Sequence, residues 1–430
     1  MTAILVSSFI FFAALGLIFS EKVHRTIVAL LGAAAMIGSG MLLGFYSETQ
    51  AIETLDVNTL GLLLGMMILV ALLQPTGFFQ YIAILIGKLS NGRPVRLMVL
   101  LGIATTLLSM FLDNVTTVVL LAPVTILICE IMGFSPLPFL MAEAILSNTG
   151  GVATLVGDPP NILIASAAGF TFNDFLIHSL PIVLVIWLVA LFMLWRMFLP
   201  TFRVEQKDNL ETLSALNPSE ALKDKKNAIK ILFIIALTIV FFLLEELLYI
   251  TPAFVAMSAA AIALFWVRPV IRDVLHHVEW DILIFFGALF VMVGGMEAAG
   301  VLTIISSIVA KGVFLPPVWQ GVILLWLVAG LSAIVDNIPI TIALIPVIHG
   351  LEANGMSVTH LWWALAFGAG LGGNGTIIGS TANIVVASLS ERTRTPITPG
   401  IWIKHGLPIM LATSFMASVL YGLVSIFIGW

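Results

Sequence analysis

This sequence predicts an all-α polytopic membrane protein built from two related halves, and three observations predict it. The chain has 430 residues, of which 60% are hydrophobic and 10% charged, whereas a soluble domain carries roughly 25% charged residues. Apolar runs near 20 residues recur throughout, enough to cross a hydrocarbon core of about 30 Å. Polar motifs inside those runs repeat at a fixed spacing. Asp113-Asn114-Val115-Thr116-Thr117 returns as Asp336-Asn337-Ile338-Pro339-Ile340-Thr341, 223 positions later. Gly150-Gly151-Val152-Ala153-Thr154 returns as Gly372-Gly373-Asn374-Gly375-Thr376, 222 positions later, and Asn161 pairs with Asn383 at that offset.

The apolar runs fall at about 3–20, 27–45, 59–87, 97–112, 115–132, 139–168 and 177–199. A polar stretch from Phe202 to Lys230 follows, and then a second series at 231–248, 252–267, 281–308, 319–335, 338–350, 360–390 and 407–429. The division is therefore a first repeat over 1–200, a linker over 201–230 and a second repeat over 231–430. The first run has no basic segment before it and no small-residue cleavage site, so it reads as a retained helix rather than a cleaved signal.

Orientation follows from Lys and Arg, which are retained on the cytoplasmic side. Five crossings per repeat, with the stretches around Asp113 and Asp336 as re-entrant hairpins and both termini outside, put 17 of the 18 basic residues inside, with Lys311 the exception. The linker is then cytoplasmic. An odd number of crossings makes the repeats inverted, related by a pseudo-two-fold axis in the membrane plane.

Carboxylates, amides and paired glycines at membrane depth are costly and mark a functional site. A hairpin tip must bury its free backbone groups in protein or a wet cavity. Asp113 and Asp336 at such tips can take up a proton or balance a cation, because loss of water disfavours a bare carboxylate; capping a half-helix is the simpler role. Each glycine in the 150–151 and 372–373 pairs costs a helix roughly 1 kcal/mol relative to alanine, so the helices are expected to break there. Broken ends expose amides and carbonyls to a solute; close helix packing is the alternative. Pro159 and Pro160 cannot continue a regular helix. Asp158 has no acidic counterpart, since Ser380 or Thr381 takes its place, and it serves either coupling or structure. Glu130, Glu143 and Glu297 read as paired or interfacial acids. His276-His277 reads as an interfacial pair, and Trp362, Trp363 and Trp430 as belt anchors.

Composition also excludes functions. One cysteine, Cys129, rules out a thiolate metal cluster, and no metal or cofactor is implied. There is no G-x-x-x-x-G-K-[ST] phosphate loop, so ATP use would need a separate ATPase subunit. Nothing points to nucleic acid or to enzyme chemistry. A duplicated pair of broken segments points to a secondary transporter with its site where the halves meet.

Asp-Asn-Val-Thr-Thr at 113–117, Leu-Leu-Ala-Pro-Val-Thr-Ile at 120–126 and Ser-Asn-Thr-Gly-Gly-Val-Ala-Thr-Leu-Val-Gly-Asp-Pro-Pro-Asn at 147–161 resemble the ion transporter superfamily. The nearest branch is that of the arsenite permeases (ArsB) and sodium/proton antiporters (NhaD), which includes the melanosomal P protein. The resemblance implies inverted repeats and a transport domain that carries the hairpins and moves as an elevator. It implies substrate binding by Asn114, Thr117, Asn148, Thr149, Asn337, Asn374, Thr376 and Asn383, with proton or ion coupling by Asp113 and Asp336; the broken-helix glycines Gly150 and Gly373 join the expected substrate site, and Asp158 is set with the coupling residues. Aspartate at the tips disfavours an anionic substrate.

The expectation is a secondary active transporter of the cytoplasmic membrane that exports arsenite and antimonite against inward protons. Arsenite at neutral pH is largely As(OH)3, a neutral polyol needing donors and acceptors such as Asn, Thr and backbone groups. The alternatives are a Na+/H+ antiporter, in which the carboxylates bind the two cations in competition, and a channel-like facilitator.

Overall fold

The computed structural model describes residues 1–20, 22–204, 217–301 and 315–427. Lys311, Trp430 and the centre of the linker lie outside them. The described residues form helices and no strands. Seven helices are long and apolar enough to cross a membrane by length and composition.

The first half contains α1 (Thr2–Phe19), α2 (Arg25–Leu43), α3 (Val57–Leu73), α4 (Phe78–Leu89), α5 (Pro94–Ser109), α6 (Asn114–Met132), α7 (Leu137–Gly151), α8 (Pro159–Ala168) and α9 (Leu180–Val204). The second contains α10 (Lys225–Leu243), α11 (Pro252–Val267), α12 (Trp280–Ala298), α13 (Pro317–Ser332), α14 (Asn337–Ala353), α15 (Thr359–Gly372), α16 (Thr381–Ser390) and α17 (Pro399–Phe427). At an offset of 222 to 223, α5 through α9 superimpose in sequence on α13 through α17. Even the prolines inside helices repeat, Pro123 in α6 and Pro346 in α14.

The expected breaks occur where the glycines and prolines fall. α7 stops at Gly151 and α8 starts at Pro159; α15 stops at Gly372 and α16 starts at Thr381. α5–α6 and α13–α14 are helical hairpins whose tips are residues 110–113 and 333–336. Of the four hairpin arms, only α6, at 19 residues, is long enough to cross by length.

Packing sorts the helices into two groups. α1, α2, α3, α10, α11 and α12 pack on one another, α3 chiefly on α11 and α2 chiefly on α12. The hairpins, the broken helices, α9 and α17 form the other group, with α5 on α7, α13 on α15, α6 on α16 and α8 on α14. Each contact has its counterpart after exchange of the halves. Few contacts join the groups: α8 touches α3, and α14 touches α12. The hairpin tips therefore sit within one bundle and face the other.

Candidate functional site

The site is built in two layers. The first closes the helix breaks. Asn161 donates from Nδ2 to the carbonyls of Gly151 (3.0 Å) and Thr154 (2.9 Å), and Asn383 makes the equivalent bonds to Gly373 (2.7 Å) and Thr376 (2.9 Å). Each asparagine thus satisfies two carbonyls that lost helical partners when the helix broke. Thr154 Oγ1 donates to the Met110 carbonyl and Thr376 Oγ1 to the Ala333 carbonyl, fastening each break to its hairpin tip. Ser109 Oγ donates to the Ser147 carbonyl and Ser332 Oγ to the Ala369 carbonyl, both at 2.8 Å.

The halves then join through amides. Asn148 Nδ2 donates to Asn374 Oδ1 (2.9 Å) and Asn383 Oδ1 (3.0 Å), while its Oδ1 accepts from Ser380 (2.9 Å). Asn374 Nδ2 donates to Thr149 Oγ1 (3.2 Å), and Thr149 donates onward to the Ile145 carbonyl. All these groups are buried. Asn148 and Asn383 spend both amide hydrogens on protein partners, and Thr376 spends its hydroxyl. Gly150 serves close packing, since a Cβ there would lie 2.8 Å from the Thr106 side chain. Gly373 lets the break fold back on itself, with the Gly379 carbonyl 2.9 Å from where its Cβ would be. Thr117 is the exception: its hydroxyl is fully buried and has no hydrogen-bond partner.

The second layer is the pair of tips. Asp113 caps α6, with Oδ1 accepting from the Thr116 N–H at 2.8 Å, and Asp336 caps α14, with Oδ1 accepting from the Ile338 N–H at 3.3 Å. The simple capping role is therefore present in both. Asp158, on the α7–α8 break, joins the tips: it accepts from Asn337 Nδ2 at 3.0 Å and borders the same space as Asn114. Asp113, Asn114, Asp158, Asp336, Asn337, Ser380 and Thr381 surround a space of about 30 Å3, together with Arg25 of α2. The structure thus unites the three expected coupling residues and both tip asparagines, and it holds the remaining expected residues in the layer behind.

Two charged neighbours distinguish the tips. Arg25 meets Asp336 Oδ2 at 2.7 Å, and Thr381 donates to the same oxygen at 2.9 Å. Across from Asp113 stands an acid, Glu279, in the connection just before α12. Thr116 links the two, its N–H to Asp113 and its hydroxyl 3.2 Å from Glu279 Oε1. Burial first, and then the Asp113 charge, push the Glu279 carboxyl up to about 8. From sequence alone Arg25 counted only among the 17 basic residues placed inside, and Glu279 was passed over. Arg25 has no basic counterpart, since 231–267 holds no Lys or Arg, whereas Glu279 meets Asp56 at the 223 offset, each at the N-cap of its helix, so the duplication hid Arg25 but offered Glu279. It could also have revealed Ser109 and Ser332.

Two cavities flank α8. One of about 230 Å3 is lined by Asp113, Thr116, Gln74, Glu279 and His277, with Met66, Val70 and Ile162 on its apolar wall. The other, about 290 Å3, is lined by Asn58, Thr59, Ser166, Thr251 and again Ile162. Among the described residues no group of three His, Cys, Asp or Glu side chains has a metal-holding arrangement.

The citrate transporter family profile (CitMHS) matches residues 15–368. The chain belongs to that family. Its relatives include an uncharacterized transporter of Mycobacterium tuberculosis (strain CDC 1551 / Oshkosh), MT2759, 40% identical over 96% of both chains. The 46 kDa membrane protein of Mycobacterium leprae (strain TN) is 38% identical over 95% of this chain and 96% of that one. The human P protein is 31% identical and aligns with the whole of this chain, which spans 61% of the P protein's length. The crystal structure of the Alcanivorax borkumensis YdaH transporter covers 95% of this chain and 99% of its own, with a TM-score of 0.61 and 17% identity, a likeness of fold. The chain is therefore a multi-pass membrane transporter and not an enzyme.

Proposed function

We propose that this transporter exchanges protons for a monovalent cation such as Na+, and that its coupling centre is formed by Asp113, Asp158 and Glu279 beside the Arg25–Asp336 pair. The observation that carries this reading is the convergence of three aspartates on a space of about 30 Å3 that holds one guanidinium. Fully ionised, those four groups leave an excess of two negative charges around a narrow space in which Asp158 is buried and the others are half-buried. Protons or a bound cation would offset that excess, since a buried charge without a counter-charge, here on Asp158, costs several kcal/mol. A water needs roughly 10–15 Å3 of such space, so the tip space suits a small cation or about two waters. Protonation and Na+ binding compete for the same oxygens, and that competition is the coupling.

Arsenite export against inward protons is the second reading, in line with the narrower arsenite permease resemblance. It is favoured by the cavity of about 230 Å3 that shares Asp113 with the tip space. As(OH)3 would find acceptors on Asp113 and Glu279 and neutral partners on Thr116 and Gln74. Citrate, the solute in the family's description, would bring three negative charges to three aspartates and one arginine, which charge repulsion opposes.

The motion we propose is an elevator between inverted repeats. The hairpin bundle would slide against the α1–α3 and α10–α12 bundle, carrying the tips across the membrane. Support comes from the two packing groups and the few contacts between them. In this reading both termini are outside, the linker is cytoplasmic, and Asn148, Asn374 and Asn383 hold the moving body together.

The test is proton flux in proteoliposomes with an imposed pH gradient and an internal pH dye. Pulses of Na+ should release protons, and Asp113→Asn should abolish the release. Arsenite-dependent release without a Na+ response would replace the first reading by the second. Citrate-driven flux would overturn both.

A further inference from the structure

Arg25 is the first residue of α2, where a cation meets the positive end of the helix dipole and is disfavoured by a few tenths to about 1 kcal/mol. Its position is nevertheless fixed from two sides. Its guanidinium lies 5.5 Å over the ring of Phe285 on α12, which is fully buried, and its Nη1 meets Asp336 Oδ2 at 2.7 Å. α2 packs on α1 and α12, whereas Asp336 belongs to the tip of the α13–α14 hairpin in the other bundle. The pair therefore crosses between bundles that otherwise touch at few places. The equivalent tip residue, Asp113, has no guanidinium paired with it, and the stretch that corresponds to α2 in the second half, 231–267, holds no Lys or Arg. Asp113 faces the open cavity and Glu279.

We infer that Arg25 is a tethered cation: at the second hairpin tip it fills the place that an exchangeable ion takes at the first, and in doing so it latches that tip to the α1–α3 and α10–α12 bundle. The inference rests on the cation-exchange reading above. It has two consequences. Only one tip is open to exchange, so each cycle carries one ion's charge at the tips rather than two. The second hairpin also cannot leave the opposing bundle until Arg25 releases Asp336, so the pair gates the motion.

The chain's one cysteine, Cys129, is buried, which permits a single-cysteine test. In a Cys129→Ala background, Ile282→Cys places a reporter on α12 where it lines both the tip space and the larger cavity. Its maleimide labelling rate is measured for the parent and for Arg25→Gln, Arg25→Lys and the charge swap Arg25→Asp with Asp336→Arg. Arg25→Gln should label at least about fivefold faster, a shift of about 1 kcal/mol. Arg25→Lys and the swap should stay within about twofold of the parent, since each restores a salt bridge at the same place. Unchanged labelling of Arg25→Gln, or a swap that labels as fast as Arg25→Gln, overturns the latch. Should Arg25→Gln fail to fold, the swap decides: parent-like labelling supports the latch, and a second folding failure overturns it.

Proton release on adding Na+ to protein in detergent tests the tethered charge. Freeing Asp336 by Arg25→Gln should raise the release from about one to about two protons per chain. A release that stays at the parent value overturns the tethered-cation half. Labelling that responds while neither protein releases protons leaves the latch standing and removes the cation-exchange reading instead.

Discussion

Replacing Asn383 by alanine separates a structural staple from a substrate ligand. The side chain is fully buried. Its Nδ2 serves the carbonyls of Gly373 and Thr376, and its Oδ1 accepts from Asn148. Asn383→Ala orphans all three partners at once. A buried polar group left without a partner costs about 1–3 kcal/mol, so three orphans should cost about 3 kcal/mol even at the low end. Titration with a denaturing detergent, following the folded fraction, reads that loss. Transport by the surviving folded protein should keep its half-saturation constant, because the amide has no hydrogen bond left to offer a solute. A loss below about 1 kcal/mol together with a raised half-saturation constant would refute the argument and return Asn383 to the substrate site.

Three further outcomes follow from the charged groups. Asp113→Asn should abolish Na+-dependent proton release, while Asp336→Asn, which strands Arg25, should mainly lower stability; equal loss of release with equal stability would show that the tips are not distinguished. Glu279→Gln should remove the alkaline limb of the transport pH profile, because the carboxyl titrates at about 8; an unchanged limb excludes Glu279 from coupling. Glu245 follows α10, is buried, and accepts from the Phe172 N–H at 2.6 Å. Burial, with smaller contributions from Glu246 and Asp174, lifts its carboxyl to about 7 against the Phe172 bond. Because this acid's value is raised by folding, its stabilising contribution is complete below about 4.5 and is lost as pH rises through about 7. Glu245→Gln should therefore flatten the stability profile between pH 5 and 8, and a profile as steep as the parent's would count against it.

Duplication made the centre of the site readable. Residues that occur twice at an offset of 222 or 223 stood out: the tip aspartates and asparagines, the paired glycines and the Asn161–Asn383 pair. The glycines predicted the helix breaks, because their cost in a helix is intrinsic to the residue. Two things were less readable. Whether an amide faces a solute or a neighbouring chain segment depends on tertiary packing, and here Asn148 and Asn383 meet each other across the two halves. Arg25 was invisible for the opposite reason: it has no basic counterpart. Glu279 pairs with Asp56 at the 223 offset, but both read as ordinary helix caps, and each of the two charges gains meaning only when its bundle is set against the hairpin tips. The division into two bundles came only from the family resemblance, since all these helices share the same apolar composition.

Ile162 borders both cavities flanking α8. A secondary transporter keeps its gradient only while its two aqueous sides never connect through the protein, and Ile162 is the residue that these two cavities share, which in the elevator reading proposed above makes it part of that insulation. Removing three carbons from a buried Ile leaves a void where water can enter once polar walls lie on both sides. Ile162→Ala should turn a tightly coupled carrier into one that dissipates its own driving force, visible as decay of an imposed pH gradient in liposomes without Na+ or solute. A gradient held as long as the parent holds it would mean that the barrier lies elsewhere.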